Sequence, residues 1–570
     1  MRTFLATALL ATPLAAFAEP AFVESAGRLG LDFVHFSGMS GRLYTPELLG
    51  AGVALIDYDN DGDLDVYLGQ GGWLEQSPQR EPVFEPRYTL PLTDRLYRND
   101  LDLAEGPDSL AFIDVTEASG LPTGGYNIGV ATGDFDNDGW TDLYATNLGP
   151  NHLLRNRGDG TFEDVTVAAG ADDRRFSVPA TFFDYDGDGW LDLFVGNYHH
   201  FRLGNEDECF NPNGLRDYCG PLAQPAEQDR LLRNRGDGTF QDTTLAAGLG
   251  DRAATALGAI SEDFDLDGDL DLYVANDLMA NHLWLNQGDG TFVEDALLAG
   301  AALDGDGKPQ ASMGVVAGDL DGDGAVDLFM SHLLREYNTL YLNDGQGLFT
   351  DRSWEGGLVK SSWPMTGFGT VIVDYDGDGL ADLFVANGAV HRIEEQVRSG
   401  AEHPLAMTNQ LFRGLGAGRF EEVNADQRET PVRAEVSRGL AVGDLDNDGD
   451  PDLVITNNAG RVRVLLNQHD PDDGWIGLRL VGESGSDLLG ARAALVTAGQ
   501  PGRWHRVHTD GSFAAAADPR LLLRAALDRV DVRVRWPDGA EVEFRGVATG
   551  NHVTLRRGEG TRPAGGSGDR

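Results

Sequence analysis

Aspartates at a fixed spacing are the residues of this chain most suited to chemistry. Seven nine-residue loops carry Asp at positions 1, 3, 5 and 9 and Gly at position 6. Four carboxylates so close together repel one another unless a cation lies between them, and Ca2+ suits such a flexible, oxygen-rich loop better than Mg2+. One copy could be an ordinary solvated turn, but seven matching copies predict metal binding. The predicted side-chain ligands are Asp57, Asp59, Asp61 and Asp65 in loop 1; Asp134, Asp136, Asp138 and Asp142 in loop 2; Asp184, Asp186, Asp188 and Asp192 in loop 3; Asp263, Asp265, Asp267 and Asp271 in loop 4; Asp319, Asp321, Asp323 and Asp327 in loop 5; Asp374, Asp376, Asp378 and Asp382 in loop 6; and Asp444, Asp446, Asp448 and Asp452 in loop 7.

Position 7 of these loops varies in residue type, which is expected if only its backbone carbonyl binds the metal. The residues concerned are Asp63, Trp140, Trp190, Asp269, Ala325, Leu380 and Asp450. The loop is not an EF-hand, because position 12 is apolar instead of Glu and the flanks are not helical. We therefore predict about seven structural Ca2+ ions of modest affinity, with dissociation constants on the order of 10⁻⁴–10⁻³ M.

The elements that position the loops read as strands. In loop 6, Val371–Val373 leads into the loop and Leu383–Val385 leaves it, both rich in residues that favour strands. A third apolar stretch ending in Asn follows in most copies. After it comes a recurring segment that begins with Phe, such as Phe162–Ala171, which we call the Phe phrase. Four strands repeated seven times predict an all-β fold, a seven-bladed β-propeller, with a solenoid of stacked units as the alternative.

The two ends of the repeat region complement each other. The last unit lacks a Phe phrase, whereas an unused phrase lies at Phe22–Leu31, before the first loop. We predict that residues 22–25 form the outer strand of the seventh blade and protect the edges of the ring.

Composition limits the partners. The 570 residues are 41% hydrophobic, which is enough for a large core, and carry a net charge of −48. Seven Ca2+ ions would reduce this charge to about −34. Nucleic acid is excluded as a partner because phosphate binding needs a basic face. We expect a monomer.

Residues 1–18 are typical of a secretory signal peptide, with Arg2, an apolar stretch and a small-x-small cleavage site. The stretch is too short to be a comfortable membrane anchor, and no later apolar stretch of that length is free of charge. We predict a secreted protein, extracellular or periplasmic. Cys209 and Cys219 are then predicted to form a disulfide, with free thiols or a metal site as alternatives.

The repeats stop after Asn467. The polar residues 469–473 indicate a linker between the propeller of residues 19–468 and a small β domain of residues 475–556. Alternation of Val and charged residues along Val530–Trp536, followed by a turn at residues 537–539, predicts a hairpin there. Residues 557–570 are rich in Gly and polar side chains and are predicted to be disordered.

These residues resemble a known family. The acidic loops are similar to FG-GAP/VCBS repeats of the kind found in integrin α-subunit propellers. The whole order of signal peptide, repeats and C-terminal domain resembles the cartilage acidic protein 1 family and its ASPIC/UnbV relatives. The VRVRWPDG segment and Gly490–Arg492 share this resemblance. The chain departs from the family at Gly511–Arg520, where GSFAAAADPR replaces a segment rich in glycine and tyrosine. The resemblance implies an extracellular matrix or cell-surface interaction protein.

Catalysis has no sequence signature here, since GxSxG, HExxH and P-loop motifs are absent. His152, His282, His332 and His391 follow the second strands at loosely similar places and could line the mouth opposite the acidic loops, although packed or exposed loop histidines are the simpler interpretation. Two functions remain: a non-catalytic binding or adhesion protein for a protein or carbohydrate ligand, which we favour, and a carbohydrate-active hydrolase or lyase. A cluster of unliganded Asp or Glu, His, Arg or Tyr in the central channel, away from the calcium loops, would favour the second.

Overall fold

The computed structural model describes residues 21–74, 86–89, 91–102, 104–122, 124–204, 208–211, 213–250, 252–423, 433–469 and 474–563. The predicted signal peptide, residues 1–18, lies outside the described residues, as do residues 564–570 of the predicted tail. No helix in the described ranges is long and apolar enough to cross a membrane.

The described residues contain seven sheets built on one plan, which we call units 1 to 7. Strand β1 (Phe22–Glu24) precedes them. Units 1 and 2 comprise β2 (Val53–Ile56), β3 (Asp65–Leu68), β4 (Arg95–Asn99) and β5 (Phe112–Asp114), then β6 (Asn127–Gly133), β7 (Asp142–Asn147), β8 (His152–Asn156) and β9 (Phe162–Asp164). Unit 3 comprises β10 (Ser177–Phe183) and β11 (Asp192–Asn197), the inserted hairpin β12 (Cys209–Phe210) and β13 (Arg216–Asp217), and β14 (Arg230–Asn234) and β15 (Phe240–Asp242).

The remaining units follow the same order. Units 4 and 5 comprise β16 (Ala256–Glu262), β17 (Asp271–Asn276), β18 (His282–Asn286) and β19 (Phe292–Glu294), then β20 (Val315–Gly318), β21 (Asp327–Met330), β22 (Thr339–Asn343) and β23 (Phe349–Asp351). Units 6 and 7 comprise β24 (Gly367–Val373), β25 (Asp382–Asn387), β26 (Met407–Thr408), β27 (Gln410–Gly414) and β28 (Phe420–Glu422), then β29 (Ala434–Glu435), β30 (Ser437–Gly443), β31 (Asp452–Asn457) and β32 (Arg463–Asn467). The short helices are α1 (Thr116–Ser119), α2 (Thr166–Ala169), α3 (Ala296–Ala299), α4 (Val359–Ser362) and α5 (Glu394–Arg398).

The units pack side by side through their first strands. Contacts run from β2 to β6, β10, β16, β20, β24 and β30 in turn, and β30 also contacts β2. Second strands such as β25 are buried along their whole length, which explains why they are almost continuously apolar. The all-β prediction is confirmed.

The N-terminal strand completes the last unit, as predicted. β1 pairs antiparallel with β32, so that Phe22 lies opposite Asn467. The Phe22 side chain is 1% exposed and packs against Tyr375 and Phe384 of unit 6. Two strands separated by more than four hundred residues of sequence therefore share one sheet.

The C-terminal region contains two further sheets. Its strands are β33 (Trp475–Val481), β34 (Arg492–Thr497), β35 (Gln500–Pro501), β36 (His505–Arg506), β37 (Ala515–Ala516), β38 (Leu521–Arg524), β39 (Arg529–Arg535), β40 (Glu541–Ala548) and β41 (His552–Arg556). The predicted hairpin is confirmed as the antiparallel pair β39–β40. The core of this domain, with Leu478 and Val532, is continuous with Phe135 of unit 2 and Leu193 of unit 3. Beyond β41, Thr561 still exchanges backbone hydrogen bonds with Glu543.

One segment of the C-terminal domain lies where the seven first strands meet. We call residues 509–518 the axial segment. β37 within it adds to unit 1 as a parallel fifth strand beside β2. Its hydrogen bonds reach every unit: Val53 N to Ala514 O (3.2 Å), Thr509 Oγ1 to Thr132 O (3.0 Å), Thr181 Oγ1 to Asp510 Oδ2 (2.8 Å), Ser261 N to Asp510 Oδ2 (2.8 Å), Val315 N to Ser512 O (3.1 Å), Thr370 N to Ser512 Oγ (3.1 Å) and Ser512 Oγ to Leu440 O (2.8 Å).

The side chains of the axial segment fill the space between the first strands. Phe513 is fully buried and packs edge-on against Phe368, with ring centroids 4.9 Å apart. Ile128, Val178 and Leu257 from three other units belong to the same apolar cluster. The sequence did not predict this insertion.

Candidate metal centre

The seven acidic loops connect the first strand of each unit to the second. Each loop begins as the first strand ends, and its position-9 Asp is the first residue of the second strand. Loops with this common connection lie at the same end of their units. The strands therefore present all seven aspartate clusters on one face, which we call the acidic face.

The loops bring predicted ligand oxygens together. In loops 1 and 4, positions 1, 3 and 5 each offer a carboxylate oxygen, and these oxygens lie within 4.8 Å of one another. In loops 2, 3 and 5, positions 1, 3 and 9 do so. Such a cluster is the donor set that a hard divalent cation prefers.

Several of these oxygens are buried without a hydrogen-bond partner among the described residues. They are Oδ1 of Asp57, Asp59, Asp136, Asp186, Asp263, Asp374, Asp376 and Asp446. A buried carboxylate oxygen without a donor is strongly destabilising unless a cation compensates it. The loops therefore fit a bound cation, which would be held by the carboxylates at positions 1, 3 and 5 in loops 1 and 4 and at positions 1, 3 and 9 in loops 2, 3 and 5.

Position 9 also has a structural function. In loop 3, Asp192 Oδ2 accepts a hydrogen bond from Tyr185 N at 3.1 Å, and Oδ1 accepts one from Asn234 N at 2.7 Å. The other six loops repeat this pattern. The position-9 carboxylate thus ties its loop to the third strand of the same unit.

Burial raises the pKa of many loop carboxyls, and repulsion from neighbouring aspartates adds to the effect. The pKa of Asp192 rises to about 9, and those of Asp271 and Asp382 to about 8. The pKa of Asp450 in loop 7 is also raised. Without a cation, such carboxyls hold protons near neutral pH; a cation that replaces those protons removes the repulsion.

Position 7 does more in two loops than the sequence predicted. Asp63 is 4% exposed and Asp450 is 1% exposed. Among the described residues, Asp63 Oδ1 and both carboxylate oxygens of Asp450 have no hydrogen-bond partner. These side chains can serve as additional ligands in loops 1 and 7; the sequence signal was the Asp at this position, although loop 4 has an exposed Asp269 there. The backbone-carbonyl ligand at position 7 stays a prediction.

The C-terminal domain covers the acidic face. Its side chains contact the position-1 aspartate in six loops: Arg479 at Asp57 (2.9 Å), Ser486 at Asp134 (2.5 Å), Arg492 at Asp263 (3.8 Å), Arg503 at Asp319 (3.0 Å), Arg524 at Asp374 (3.3 Å) and His552 at Asp444 (2.9 Å). At Asp57, Asp263 and Asp374 the contact uses Oδ2 and leaves Oδ1 for a cation. The domain thus places four arginines, a serine and a histidine against the outer side of six of the loops.

The asparagine that ends most third strands joins neighbouring units. Asn234 of unit 3 donates from Nδ2 to Phe135 O in loop 2 at 2.7 Å. Asn99 of unit 1 donates likewise to Leu445 O in loop 7 at 2.9 Å, which links the first unit to the last. The other joints are Asn156 to Tyr58 O (2.8 Å), Asn286 to Tyr185 O (2.7 Å), Asn343 to Phe264 O (2.8 Å) and Asn467 to Tyr375 O (3.0 Å). Unit 6 has Gly414 at this place. The sequence showed the asparagine but not its function.

The four histidines do not form a common site. His152 pairs with Asp164 at 2.8 Å, and His391 lies 3.5 Å from Asp217. His282 and His332 are buried, and burial lowers their pKa to about 4 and about 3. They are packed or surface residues, as the simpler interpretation held.

The inserted hairpin of unit 3 carries the disulfide. Cys209 and Cys219 are bonded, which confirms that prediction. Among the tryptophans, Trp73 packs edge-on against Phe36, whereas Trp363 is 48% exposed.

Comparison with protein families confirms the resemblance read from the residues. The FG-GAP-like repeat matches residues 134–195 and 263–330, the FG-GAP repeat matches residues 438–465, and the ASPIC and UnbV family matches residues 482–562. Cartilage acidic protein 1 of Xenopus tropicalis is 24% identical over 552 residues, covering 89% of this chain and 73% of the frog protein. The human protein of that name is 30% identical over 295 residues, covering 49% of this chain and 40% of the human protein.

Solved structures offer weaker likeness. A lectin of Agrocybe aegerita that recognises non-reducing terminal N-acetylglucosamine superposes with a TM-score of 0.35 at 18% identity, covering 63% of this chain and 88% of the lectin. Rhamnogalacturonan lyase PL11 of Bacillus licheniformis gives a TM-score of 0.28 at 12% identity, covering 74% of this chain and 90% of the lyase.

Proposed function

We propose that this protein, which carries FG-GAP repeats and an ASPIC/UnbV domain and is similar to cartilage acidic protein 1, is an exported, calcium-binding, non-catalytic binding or adhesion protein. Its architecture is a seven-bladed β-propeller with a C-terminal β domain docked on the acidic face. Calcium rigidifies the seven loops, and the loops at the opposite face contact the partner.

The buried carboxylate oxygens of the acidic loops carry this proposal. They require a counter-charge, and an exported protein meets Ca2+ at concentrations that fill sites of modest affinity. The disulfide between Cys209 and Cys219 supports an oxidising compartment.

The axial segment argues against an enzyme with its active site in the central channel. Phe513 and its neighbours occupy the space between the first strands, and Asp510 and Ser512 direct their hydrogen bonds to the units themselves. A substrate would have to displace this segment and its contacts with all seven units.

Metal analysis combined with thermal melting tests the proposal. The mature protein is dialysed against Ca2+, its metal-to-protein ratio is measured, and its melting is followed with and without excess chelator. A ratio near seven and a large fall in midpoint on chelation are expected, because ions that bind only the folded state stabilise it. Protein without bound metal and with an unchanged midpoint would overturn the proposal.

A further inference from the structure

A groove opens at the face opposite the acidic loops. Three segments form it: residues 39–43 before unit 1, the disulfide-closed hairpin β12–β13 of unit 3, and residues 392–405 of unit 6, which include α5. The second and third segments follow β11 and β25, at the ends of these strands that point away from the acidic loops. Its volume is about 340 Å³. We call it the far-face groove.

The three segments hold one another in place. Asn213 of the hairpin hydrogen-bonds to Glu394 in α5, and Arg392 N donates to Asp217 Oδ1 at 3.4 Å. Arg216 donates from its guanidinium to Arg42 O at 3.1 Å. Insertions into separate units that meet and bond to one another form a built site, of the kind in which loops on a rigid scaffold bind ligands.

Two arginines line this groove in a strongly acidic protein. The Arg392 guanidinium has no hydrogen-bonding or ion-pair partner among the described residues. Arg216 is half exposed, and its nearest carboxylate oxygen, on Glu208, is 3.7 Å away. A guanidinium presents a planar fork of donors that matches a carboxylate, and such charge-assisted bonds are among the stronger ones.

The remaining walls of the groove suit a small ligand that has both apolar surface and hydroxyl groups. Tyr218, 4% exposed, lies at the wall, and the half-buried Val397 and Pro404 contribute aliphatic surface. Glu402 offers carboxylate oxygens that can accept hydrogen bonds from hydroxyl groups. The volume lies at the small end of the range for small-molecule sites, about 300–1,000 Å³.

We propose that the far-face groove binds an acidic sugar, with the ligand carboxylate held by Arg392 and Arg216 and its ring against Tyr218 and Pro404. This inference rests on the proposed function as a binding protein and names its ligand class. The disulfide fixes the hairpin that supplies Arg216 and Tyr218.

Calorimetric titration of the calcium-loaded full chain tests the inference. The probes are D-glucuronate, uncharged D-glucose and inorganic sulfate. The variants are Arg392→Ala and Arg216→Ala. Arg202→Ala is the control, because Arg202 is exposed and its replacement removes one positive charge from the same insertion that carries Arg216. Melting curves and the metal-to-protein ratio are recorded for every sample.

Saturable binding of glucuronate, with weaker binding of glucose and sulfate, is expected. Arg392→Ala should lower the glucuronate affinity about ten-fold or more, since about 1.4 kcal/mol corresponds to ten-fold and one charge-assisted bond exceeds that. Arg202→Ala should change it less than about two-fold. No saturable glucuronate binding, equal binding of sulfate, or equal loss in Arg202→Ala would overturn the inference. If these samples still carry about seven Ca2+ and melt normally, the inference fails while the proposed function stands.

Discussion

The acidic loops and the axial segment place buried charge in opposite ways. The loops gather charges of one sign, leave carboxylate oxygens without donors, and raise the pKa of Asp192 and Asp271. The axial segment pairs opposite charges: Arg506 lies 3.0 Å from Asp510 and 2.9 Å from Glu262. Burial would raise the pKa of Asp510, but Arg506 and His508 more than offset this and hold the pKa below its ordinary value. A cluster of like charges needs an ion from solution, whereas a mixed cluster supplies its own counter-charges.

Removing the cations should have the largest effect, and it should act on the loops alone. At Ca2+ one hundred times the dissociation constant, each ion that binds only the folded state contributes about 2.7 kcal/mol. Chelation should therefore lower the unfolding midpoint by about 10 °C or more. Differential scanning calorimetry with and without chelator measures this; Mg2+ added back in place of Ca2+ is the control and should restore less. An equal recovery with Mg2+ would contradict calcium selectivity.

The pH dependence of stability should separate the two regions by sign. In the metal-free protein, Asp192, Asp271 and Asp382 have folded pKa values of about 8 to 9, above the unfolded value of about 4. The folded state then binds more protons between about pH 4 and 8, so their contribution to the free energy of unfolding falls as pH rises through this window. Asp510 and Glu262 have lowered pKa values, so their contribution is present above about pH 4 and is lost below it.

Chemical denaturation of the metal-free protein at a series of pH values measures this dependence. Stability that rises steadily from pH 5 to pH 8 without metal would show that the loop carboxyls are not the groups described here.

Asp510→Asn should show what the mixed charge network contributes. It removes one of the two carboxylates that pair with the buried Arg506 and leaves only Glu262, and breaking a buried ion pair from one side costs about 3–5 kcal/mol. Urea denaturation of the calcium-loaded protein measures the loss, and Asp528→Asn, at an exposed position, is the control. The loss should be the same with and without Ca2+. A loss that disappears on chelation would mean that the two regions are not independent.

Of the four changes considered, Asn234→Ala should have the smallest effect on stability. It removes the amide that bonds Phe135 O at 2.7 Å and Leu191 O at 2.9 Å, and leaving buried groups unsatisfied costs about 1–3 kcal/mol. Gln346→Ala, in an exposed turn, is the control. Thermal melting measures the change; an effect no larger than that of the control would show that the joints between units are held by packing alone.

The sequence predicted the features that repeat. Asp at positions 1, 3, 5 and 9, the four strands of each unit, and the use of Phe22 to complete unit 7 were all visible, because each is written in local residue order and confirmed by copies elsewhere. The disulfide followed from having only two cysteines. Whether calcium fills the loops stays a prediction.

The sequence could not predict features that occur once and depend on distant partners. Apart from Phe513, residues 511–517 are small, and they lack any periodic pattern; their burial comes from first strands in all seven units. Arg479 and Arg524 look like ordinary strand and strand-end charges until the domain docks and places them on Asp57 and Asp374. Asp63 and Asp450 were noted only for their backbone carbonyls, since the burial of their side chains cannot be read from local residue order.

The pairing of β1 with β32 has a consequence for how the protein is made. Phe22 emerges early during synthesis, but its partner Asn467 is added only after about four fifths of the remaining chain. Until then the strand edge of Phe22–Glu24 has no native partner, and such edges are open to pairing with other chains. Because these contacts are so distant in sequence, the pairing of β1 with β32 is expected to be a slow step of maturation. During synthesis the edge of β1 therefore needs protection from other chains until β32 has been made.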